Sequence, residues 1–431
     1  MSIQEYFRVS LVAMGTSGLS MGAVSLGTVL SLGTVLFSST VLGDDWTGWR
    51  GSNGTGISTE SEAVLKWGPQ QNIQWRADVP GVGRSSAIVV KDRVFLTTGI
   101  EEDQSRRLLC YSKADGKLLW NTVVHQGPPG EMHQLNTTAS STPCSNGKYV
   151  FPVFIDNSLM VVAGVDFAGQ VVWKKELGTF FSKHGFAASP VVFESGVIIN
   201  GHQDGEAFVV MLDAETGNEV WKHKPLVNQR SFSTPVIVDF EGKPIMILTG
   251  AQYTAALDPK TGTLLWYAGG PSEKFVSTPS VGHGMVFSFG GSPEKNAMAV
   301  KLGGSGDVTA SHIAWKTSRS MPYIPSPILV GDYLHILNDS GVYTCIEPST
   351  GKVLHTGRKT RDVNSSPIAV GEHIYFFEDS GECKVIRNGA DFDLIAHNEL
   401  GEPVFSTPAV SDGMLFVRSE KGLFCIGNPE N

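Results

Sequence analysis

One short pattern is written eight times along the chain between residues 84 and 409. Each copy starts with a small hydroxyl residue, usually followed by proline, and continues with an apolar run, a turn and a second apolar run. The third positions of successive copies lie 40 to 56 residues apart. A recurring period in this range indicates an array in which one supersecondary unit is copied and stacked. The eight starts are Ser85-Ser86-Ala87, Ser141-Thr142-Pro143, Ser189-Pro190, Ser233-Thr234-Pro235, Ser277-Thr278-Pro279, Ser326-Pro327, Ser365-Ser366-Pro367 and Ser406-Thr407-Pro408.

The third copy shows what one unit contains. Its apolar runs at 190–193, 197–199 and 207–212 are rich in Val, Ile and Phe and are separated by Gly, Asp and Ser. Such runs predict short strands. A fourth run follows the turn at Thr216-Gly217 and ends in Trp221. Four short strands in roughly 45 residues are typical of one blade of a β-propeller.

The strand count predicts how the ring closes. The eighth copy has three apolar runs, at 405–410, 414–418 and 423–426, and the sequence then ends. A fourth run, with Trp75 in the repeat position, lies at 72–76. We therefore predict an all-β, eight-bladed β-propeller of four-stranded antiparallel blades, closed by the N-terminal strand completing the last blade. A seven-bladed ring would require discarding one copy, of which 365–397 is the most degenerate.

The recurrent Trp and Cys residues are predicted to be architectural. A Trp closes the fourth run of several copies, at Trp120, Trp173, Trp221, Trp266 and Trp315. A Trp repeated in register indicates packing between adjacent blades. Four of the five cysteines, Cys110, Cys345, Cys383 and Cys425, occupy one slot in the third strand, and Cys144 lies outside it. Equivalent positions of neighbouring blades are too far apart for a disulfide, so we expect buried free thiols.

Residues 9–42 contain no charged side chain and are followed by Asp44-Asp45. Such a stretch after a lone cation, Arg8, predicts a secretory signal peptide, but it is also long enough to span a bilayer as an uncleaved anchor. Both alternatives stay open, as does a start at Met14 or Met21. We predict a signal peptide or membrane anchor at 1–43, an N-terminal extension at 44–71 and the propeller at 72–431. The expected location is the periplasm or cell envelope, with membrane contact only through 9–42 if uncleaved.

Charge and motifs exclude several functions. The formal net charge is −9 and there is no basic run, which argues against nucleic-acid binding. The repeats contain no Gly-x-Ser-x-Gly segment, phosphate-binding loop or zinc-ligand spacing. The sequence therefore predicts neither catalytic residues nor metal ligands.

The segments leading into the first strands are the candidate ligand site, because in a propeller they surround the mouth of the central channel. Several carry cations although the chain is acidic, which favours a small anionic ligand or an acidic peptide. The structural alternative is that water-facing loops are polar in any propeller. The longest insertion, 123–138, marks a loop with a possible partner role. The candidate residues are Arg84, His133, Asn136, His184, Arg230, Lys274, Tyr323, Arg361 and Asn364.

The third and fourth strands resemble the pyrroloquinoline quinone (PQQ) repeat, whose pattern is Ala-x-Asp-x-x-x-Thr-Gly-x-x-x-Trp or a close variant. The resemblance covers roughly 72–427. The matching segments are Leu212-Asp213-Ala214-Glu215-Thr216-Gly217 with Trp221, Leu257-Asp258-Pro259-Lys260-Thr261-Gly262 with Trp266, and more loosely Ser112-Lys113-Ala114-Asp115-Gly116 with Trp120. Together with Trp46-Thr47-Gly48-Trp49-Arg50-Gly51, the chain is similar to exported PQQ-like propeller proteins.

The resemblance implies one of two functions. Quinoprotein alcohol and sugar dehydrogenases hold PQQ and calcium in the central funnel, whereas BamB-like members are non-enzymatic scaffolds of the cell envelope. This sequence has no adjacent cysteine pair and no Cys-x-x-Cys-His haem attachment. We therefore expect an exported non-enzymatic scaffold that binds a protein or peptide partner without a cofactor. The alternative is a quinoprotein oxidoreductase that uses PQQ and calcium.

Overall fold

Antiparallel sheets of short strands follow one another along the whole described chain. The computed structural model describes residues 45–250 and 252–428. In these ranges eight sheets, each built on four strand positions, form a β-propeller, which confirms the predicted fold class. Consecutive strands within a blade pair antiparallel. Apart from the closing pair in blade 8, the paired strands are neighbours along the chain, and the apolar Val, Ile and Phe of the second and third strands are almost fully buried.

Blades 1 to 4 follow the repeat with two local variations. In blade 2 the second strand is interrupted at Pro152, and in blade 4 a two-residue strand, Gly306–Asp307, adds in parallel to the outer edge. The strands are Ile88–Val90, Arg93–Ile100, Ser105–Ser112 and Leu118–Gln126 in blade 1; Cys144–Ser145, Tyr149–Phe151 with Val153–Ile155, Leu159–Asp166 and Val171–Thr179 in blade 2; Val191–Phe193, Gly196–Gly201, Phe208–Asp213 and Glu219–His223 in blade 3; and Val236–Phe240, Lys243–Gly250, Tyr253–Leu257 and Leu264–Gly269 in blade 4.

Blades 5 to 8 complete the ring. A single helical turn, Thr309–His312, precedes the last strand of blade 5. The strands are Ser280–Gly282, Met285–Gly290, Asn296–Lys301 and Ile313–Thr317 in blade 5; Ile328–Val330, Tyr333–Leu337, Val342–Ile346 and Val353–Arg358 in blade 6; Ile368–Val370, His373–Phe377, Glu382–Arg387 and Asp393–Glu399 in blade 7; and Ala409–Ser411, Met414–Arg418, Gly422–Ile426 and Ile73–Asp78 in blade 8.

The N-terminal strand closes the ring as predicted. Ile73–Asp78 pairs antiparallel with Gly422–Ile426, with Trp75 opposite Cys425. The two ends of the propeller therefore lie in one sheet, and no blade lacks its fourth strand. This closure confirms the count of eight.

The repeated Trp residues join each blade to the next. Trp75 Nε1 donates to the Lys113 carbonyl oxygen at 2.9 Å, and the ring lies against the turn glycine Gly116. A Cβ at Gly116 would lie 2.5 Å from the Trp75 ring, and its φ of +69° is left-handed, so glycine is required there. The same indole-to-carbonyl bond recurs at Trp120, Trp173, Trp221 and Trp315. The prediction of packing between blades is confirmed.

All five cysteines are free and buried, which confirms the structural role predicted for Cys110, Cys345, Cys383 and Cys425. Cys110 lies among apolar side chains of blades 1 and 2, and Cys425 among those of blades 8 and 1. Burial raises the pKa of the Cys110 thiol to about 12 and that of Cys345 to about 11. These thiols are therefore core side chains that are protonated at neutral pH.

The N-terminal extension crosses the propeller axis. Trp46 bridges to Val89 in blade 1 and the Thr47 carbonyl accepts from the backbone of blade 2, whereas Arg50 Nη2 donates to Pro327 O in blade 6 at 2.9 Å. Because blades 2 and 6 are opposite one another in a ring of eight, residues 47–50 span the channel. The crossing occurs on the face where the first strands end, so the central channel is closed there.

The described residues contain no helix that is long and apolar enough to span a membrane. The predicted signal peptide or anchor at 9–42 lies outside the described residues.

Candidate functional site

A cavity of about 670 Å³ occupies the propeller axis on the face where the first strands begin. Its walls come from the repeat starts of the blades, and Trp49 of the N-terminal extension also lines it. The channel is therefore a funnel with one open mouth rather than a pore through the ring.

The base of the funnel is a closed ring of hydroxyl residues, here called the hydroxyl belt. In each blade the backbone N–H of the belt residue donates to the hydroxyl oxygen of the belt residue in the next blade, at 2.9–3.2 Å. The last bond, from Thr407 N to Ser86 Oγ, joins blade 8 to blade 1. The belt consists of Ser86, Thr142, Ser189, Thr234, Thr278, Ser326, Ser366 and Thr407.

The belt explains why every repeat starts with a hydroxyl residue. The backbone N–H groups here are buried and belong to no sheet, so each needs an acceptor. A Ser or Thr hydroxyl supplies the acceptor and keeps its own hydrogen for another group. Seven of the eight belt residues line the funnel, so their hydroxyl groups are within reach of a ligand.

The next layer of the wall lies two residues before the belt and is divided into two arcs. Blades 3 to 6 contribute an apolar arc, whereas blades 7, 1 and 2 contribute polar side chains and blade 8 contributes Phe405. The apolar arc consists of Ala187, Phe232, Val276 and Ile324, and the polar side chains are Asn364, Arg84 and Ser140. A ligand in the funnel therefore meets an apolar wall on one side and hydrogen-bonding groups on the other.

Most charged groups at the mouth already have partners. Lys295 Nζ lies 2.7 Å from Asp339 Oδ2, and Asp339 also accepts from the backbone N–H groups of Tyr323 and Ile324 at 2.9 Å. Asp379 accepts from Asn364 N at 2.8 Å, and burial raises the pKa of this carboxyl group. The mouth is consequently a mixed surface and not a uniformly positive one.

Six of the nine sequence-predicted candidates line the funnel, and three do not. Those that line it are Arg84, His133, Asn136, His184, Tyr323 and Asn364. The side chains of Arg230, Lys274 and Arg361 are outside its lining. Arg230 forms an ion pair with Asp204, which holds it in the adjacent loop. Ligand binding by these residues stays a prediction.

His133 and His184 form the most compact part of the candidate set. Their rings meet edge to face with centroids 5.6 Å apart, and Asn136 Nδ2 donates to His184 O at 2.7 Å. Burial lowers the pKa of His184, and the positive charge of Arg230 acts in the same direction. This contact joins the 123–138 loop to the loop before blade 3.

Sequence reasoning missed Trp49, Lys295 and Asp339 as funnel residues. Trp49 precedes the repeats, and the other two lie in turns between inner strands rather than at repeat starts. The repeated hydroxyl was visible in the sequence, but its acceptor role depends on contacts between residues 40 or more positions apart.

Exposed apolar side chains lie in three consecutive inter-blade loops on the face of the funnel mouth, and one of them, Leu135, lines the funnel. Leu135 is 39% exposed, Phe181 54% and Leu226 52%, although each lies in a loop between two blades. Phe181 N donates to Gln203 Oε1, and Leu226 N donates to the Tyr253 hydroxyl, so these loops are held in place. With Val227, these residues are here called the apolar rim, a set of exposed apolar side chains on one face of the kind found at interaction sites.

Comparisons with solved structures show the fold. BamB from Moraxella catarrhalis is 14% identical, with a TM-score of 0.57 over 81% of this chain and 98% of that chain. A quinohemoprotein alcohol dehydrogenase from Comamonas testosteroni is 11% identical, with a TM-score of 0.61 over 89% and 80%. The computationally designed Ika8 protein is 12% identical, with a TM-score of 0.56 over 85% and 99%. Identities this low carry the fold and not the activity.

The family comparison is more specific. No curated protein matches the chain significantly. The sequence model of one family, described as outer membrane protein assembly factor BamB, matches the overlapping stretches 49–176 and 158–314. These stretches cover more than half of the chain, and it belongs to the BamB family of PQQ-repeat propellers.

Proposed function

We propose that this protein is an exported, non-enzymatic scaffold of the cell envelope that binds an extended segment of a partner protein at the funnel mouth. The observation that carries the proposal is the apolar rim together with the apolar arc of the funnel, which lie on the same face of the propeller. Large apolar side chains exposed together on loops are costly in water unless a partner covers them. Membership of the BamB family agrees with a scaffold role.

The two arcs of the funnel match the chemistry of an extended peptide. Apolar side chains of the segment would pack on Phe232, Val276 and Ile324, and its backbone carbonyl groups would accept from Asn364 and the belt hydroxyls. Because Lys295 and Asp339 pair with one another, the part of the mouth beside the apolar arc does not select strongly for ligand charge. The recognised segment is therefore apolar and uncharged over most of its length.

The charged groups of the funnel favour a protein segment over PQQ and calcium, the cofactors of the alternative function. Among the described residues, no three His, Cys, Asp or Glu side chains are grouped closely enough to hold a metal ion. Asp339 and Asp379 are already occupied by donors from the protein. A tricarboxylate such as PQQ would meet Arg84 in the funnel but also the carboxyl groups of Asp339, Asp362 and Asp379. We derive no redox step for this chain.

Site-specific photo-crosslinking in intact cells tests the proposal. A photoreactive residue at Phe181 or Leu226 should give an adduct with the same envelope protein. The matched controls are Val220 and Leu394, which are 53% and 47% exposed but lie on outer strands, and they should not give that adduct. Equal labelling at rim and control positions, or no rim adduct, would contradict the proposal.

A further inference from the structure

We propose that a second, smaller cavity, between blades 8 and 1, binds one compact oxyanion. The cavity has a volume of about 110 Å³ and opens beside the funnel, with which it shares Arg84 and Phe405. Arg418 forms its inner wall and Gly83 lies against that side chain. Arg418 and Gly83 belong to this cavity and not to the funnel, and the proposal does not depend on peptide binding.

Arg418 is a buried cation without a carboxylate partner. It ends the second strand of blade 8 and is 2% exposed. Its Nη1 donates to Thr97 O at 2.7 Å and to Ser85 Oγ at 2.8 Å, both in blade 1. Its Nη2 and Nε have no hydrogen-bond partner. Burial lowers the pKa of Arg418 to about 10, so the guanidinium stays charged at neutral pH.

Arg84 supplies a second guanidinium to the same cavity. It lies 4.0 Å from the Phe405 ring centroid, and among the described residues its side chain forms no ion pair or hydrogen bond. Asp379 and Glu420 act on Arg84 only at longer range, whereas Arg418 is fully buried with unpartnered N–H groups, and a buried charge is costly unless it is paired. We therefore infer that the missing partner of the two guanidinium groups is an anion.

The cavity itself limits what that anion is. Its volume exceeds three times the roughly 30 Å³ that a water molecule occupies in the liquid, which is room for a phosphate ion or a single carboxylate group. Glu420 also borders the cavity but is exposed and forms no ion pair within 4 Å of either arginine. Planar guanidinium groups bind such oxyanions through paired N–H donors. Free inorganic phosphate and a carboxylate compound share this chemistry.

Two substitutions in the cavity and one control distinguish binding at this site from a general effect of the protein's charge on anion binding. Arg84→Gln removes one positive charge and leaves the buried Arg418 contacts intact. Gly83→Ala changes no charge, but its Cβ would overlap both terminal nitrogens of Arg418 and obstruct the cavity. Arg387→Gln is the matched control, because Arg387 is exposed in blade 7 and pairs only loosely with Asp393, at 3.7 Å.

Calorimetric titration of the full chain with inorganic phosphate and, separately, with acetate tests the proposal at constant ionic strength. We expect the wild type to bind one anion per chain. Arg84→Gln should bind it about tenfold or more weakly, because one charge-assisted hydrogen bond is lost, and Arg387→Gln should bind it with unchanged affinity. Binding of phosphate alone would identify an inorganic ion, and binding of acetate would identify a carboxylate. Absence of one-to-one binding for both anions, or equal affinities in Arg84→Gln and Arg387→Gln, would overturn the proposal.

Discussion

Replacing Thr234 by Val isolates the contribution of the hydroxyl belt to stability. Thr234 is buried, and its hydroxyl oxygen accepts from the Ser189 backbone N–H at 3.0 Å. Val has nearly the shape of Thr, so the substitution opens little cavity but leaves the Ser189 N–H without an acceptor. A buried, unsatisfied donor costs about 1–3 kcal/mol, and we expect the free energy of unfolding to fall by that amount.

The assay is equilibrium unfolding in urea, with the midpoint compared at unchanged slope. Thr263→Val is the matched control, because Thr263 is exposed on a turn and should change stability by less than about 0.5 kcal/mol. Thr407→Val should behave like Thr234→Val, since Thr407 accepts from Ser366 N at 3.2 Å in the same belt. The reasoning is refuted if both belt variants are as stable as the control.

Three further predictions concern other parts of the fold. Burial lowers the pKa of His335 to about 4, so its stabilising contribution is complete above pH 6.5 and is lost as the pH falls toward 4. The free energy of unfolding of the wild type should therefore fall by about 2 kcal/mol between pH 7 and pH 5, and that of His335→Gln should not show this loss. Urea unfolding at each pH measures the difference. Trp221→Phe removes the indole bond to Pro259 O, 3.0 Å long, and should destabilise the protein by about 1 kcal/mol or more in the same assay. The five buried thiols should be unreactive toward a disulfide reagent in the native protein and all react in denaturant, and rapid native labelling would contradict their burial.

The architecture could be predicted because it depends on local signals that recur. Strand periodicity, turn glycines and the Trp position are repeated in the sequence, so one poorly matching copy does not hide the pattern. Ring closure followed from a strand count, since three runs at one end and one at the other leave a single arrangement without open edges. Local physical chemistry was therefore sufficient for the fold.

The site was only partly predictable, because it depends on where side chains point across the ring. Arg230 lies in a funnel-side loop, yet its ion pair with Asp204 takes it out of the lining. In the sequence, Arg418 is marked only by its position at the end of a predicted strand. Its burial results from contacts with blade 1, more than 300 residues earlier in the sequence. The path of Trp49 and Arg50 across the axis likewise has no counterpart in the repeat.

The central claim is that the funnel binds protein segments and not a quinone. Calorimetric titration of the purified chain with PQQ in the presence of Ca²⁺ tests it most directly. We expect no saturable one-to-one binding and no dye-linked oxidation of alcohols or sugars. Tight binding of one PQQ per chain, accompanied by such oxidation, would contradict it.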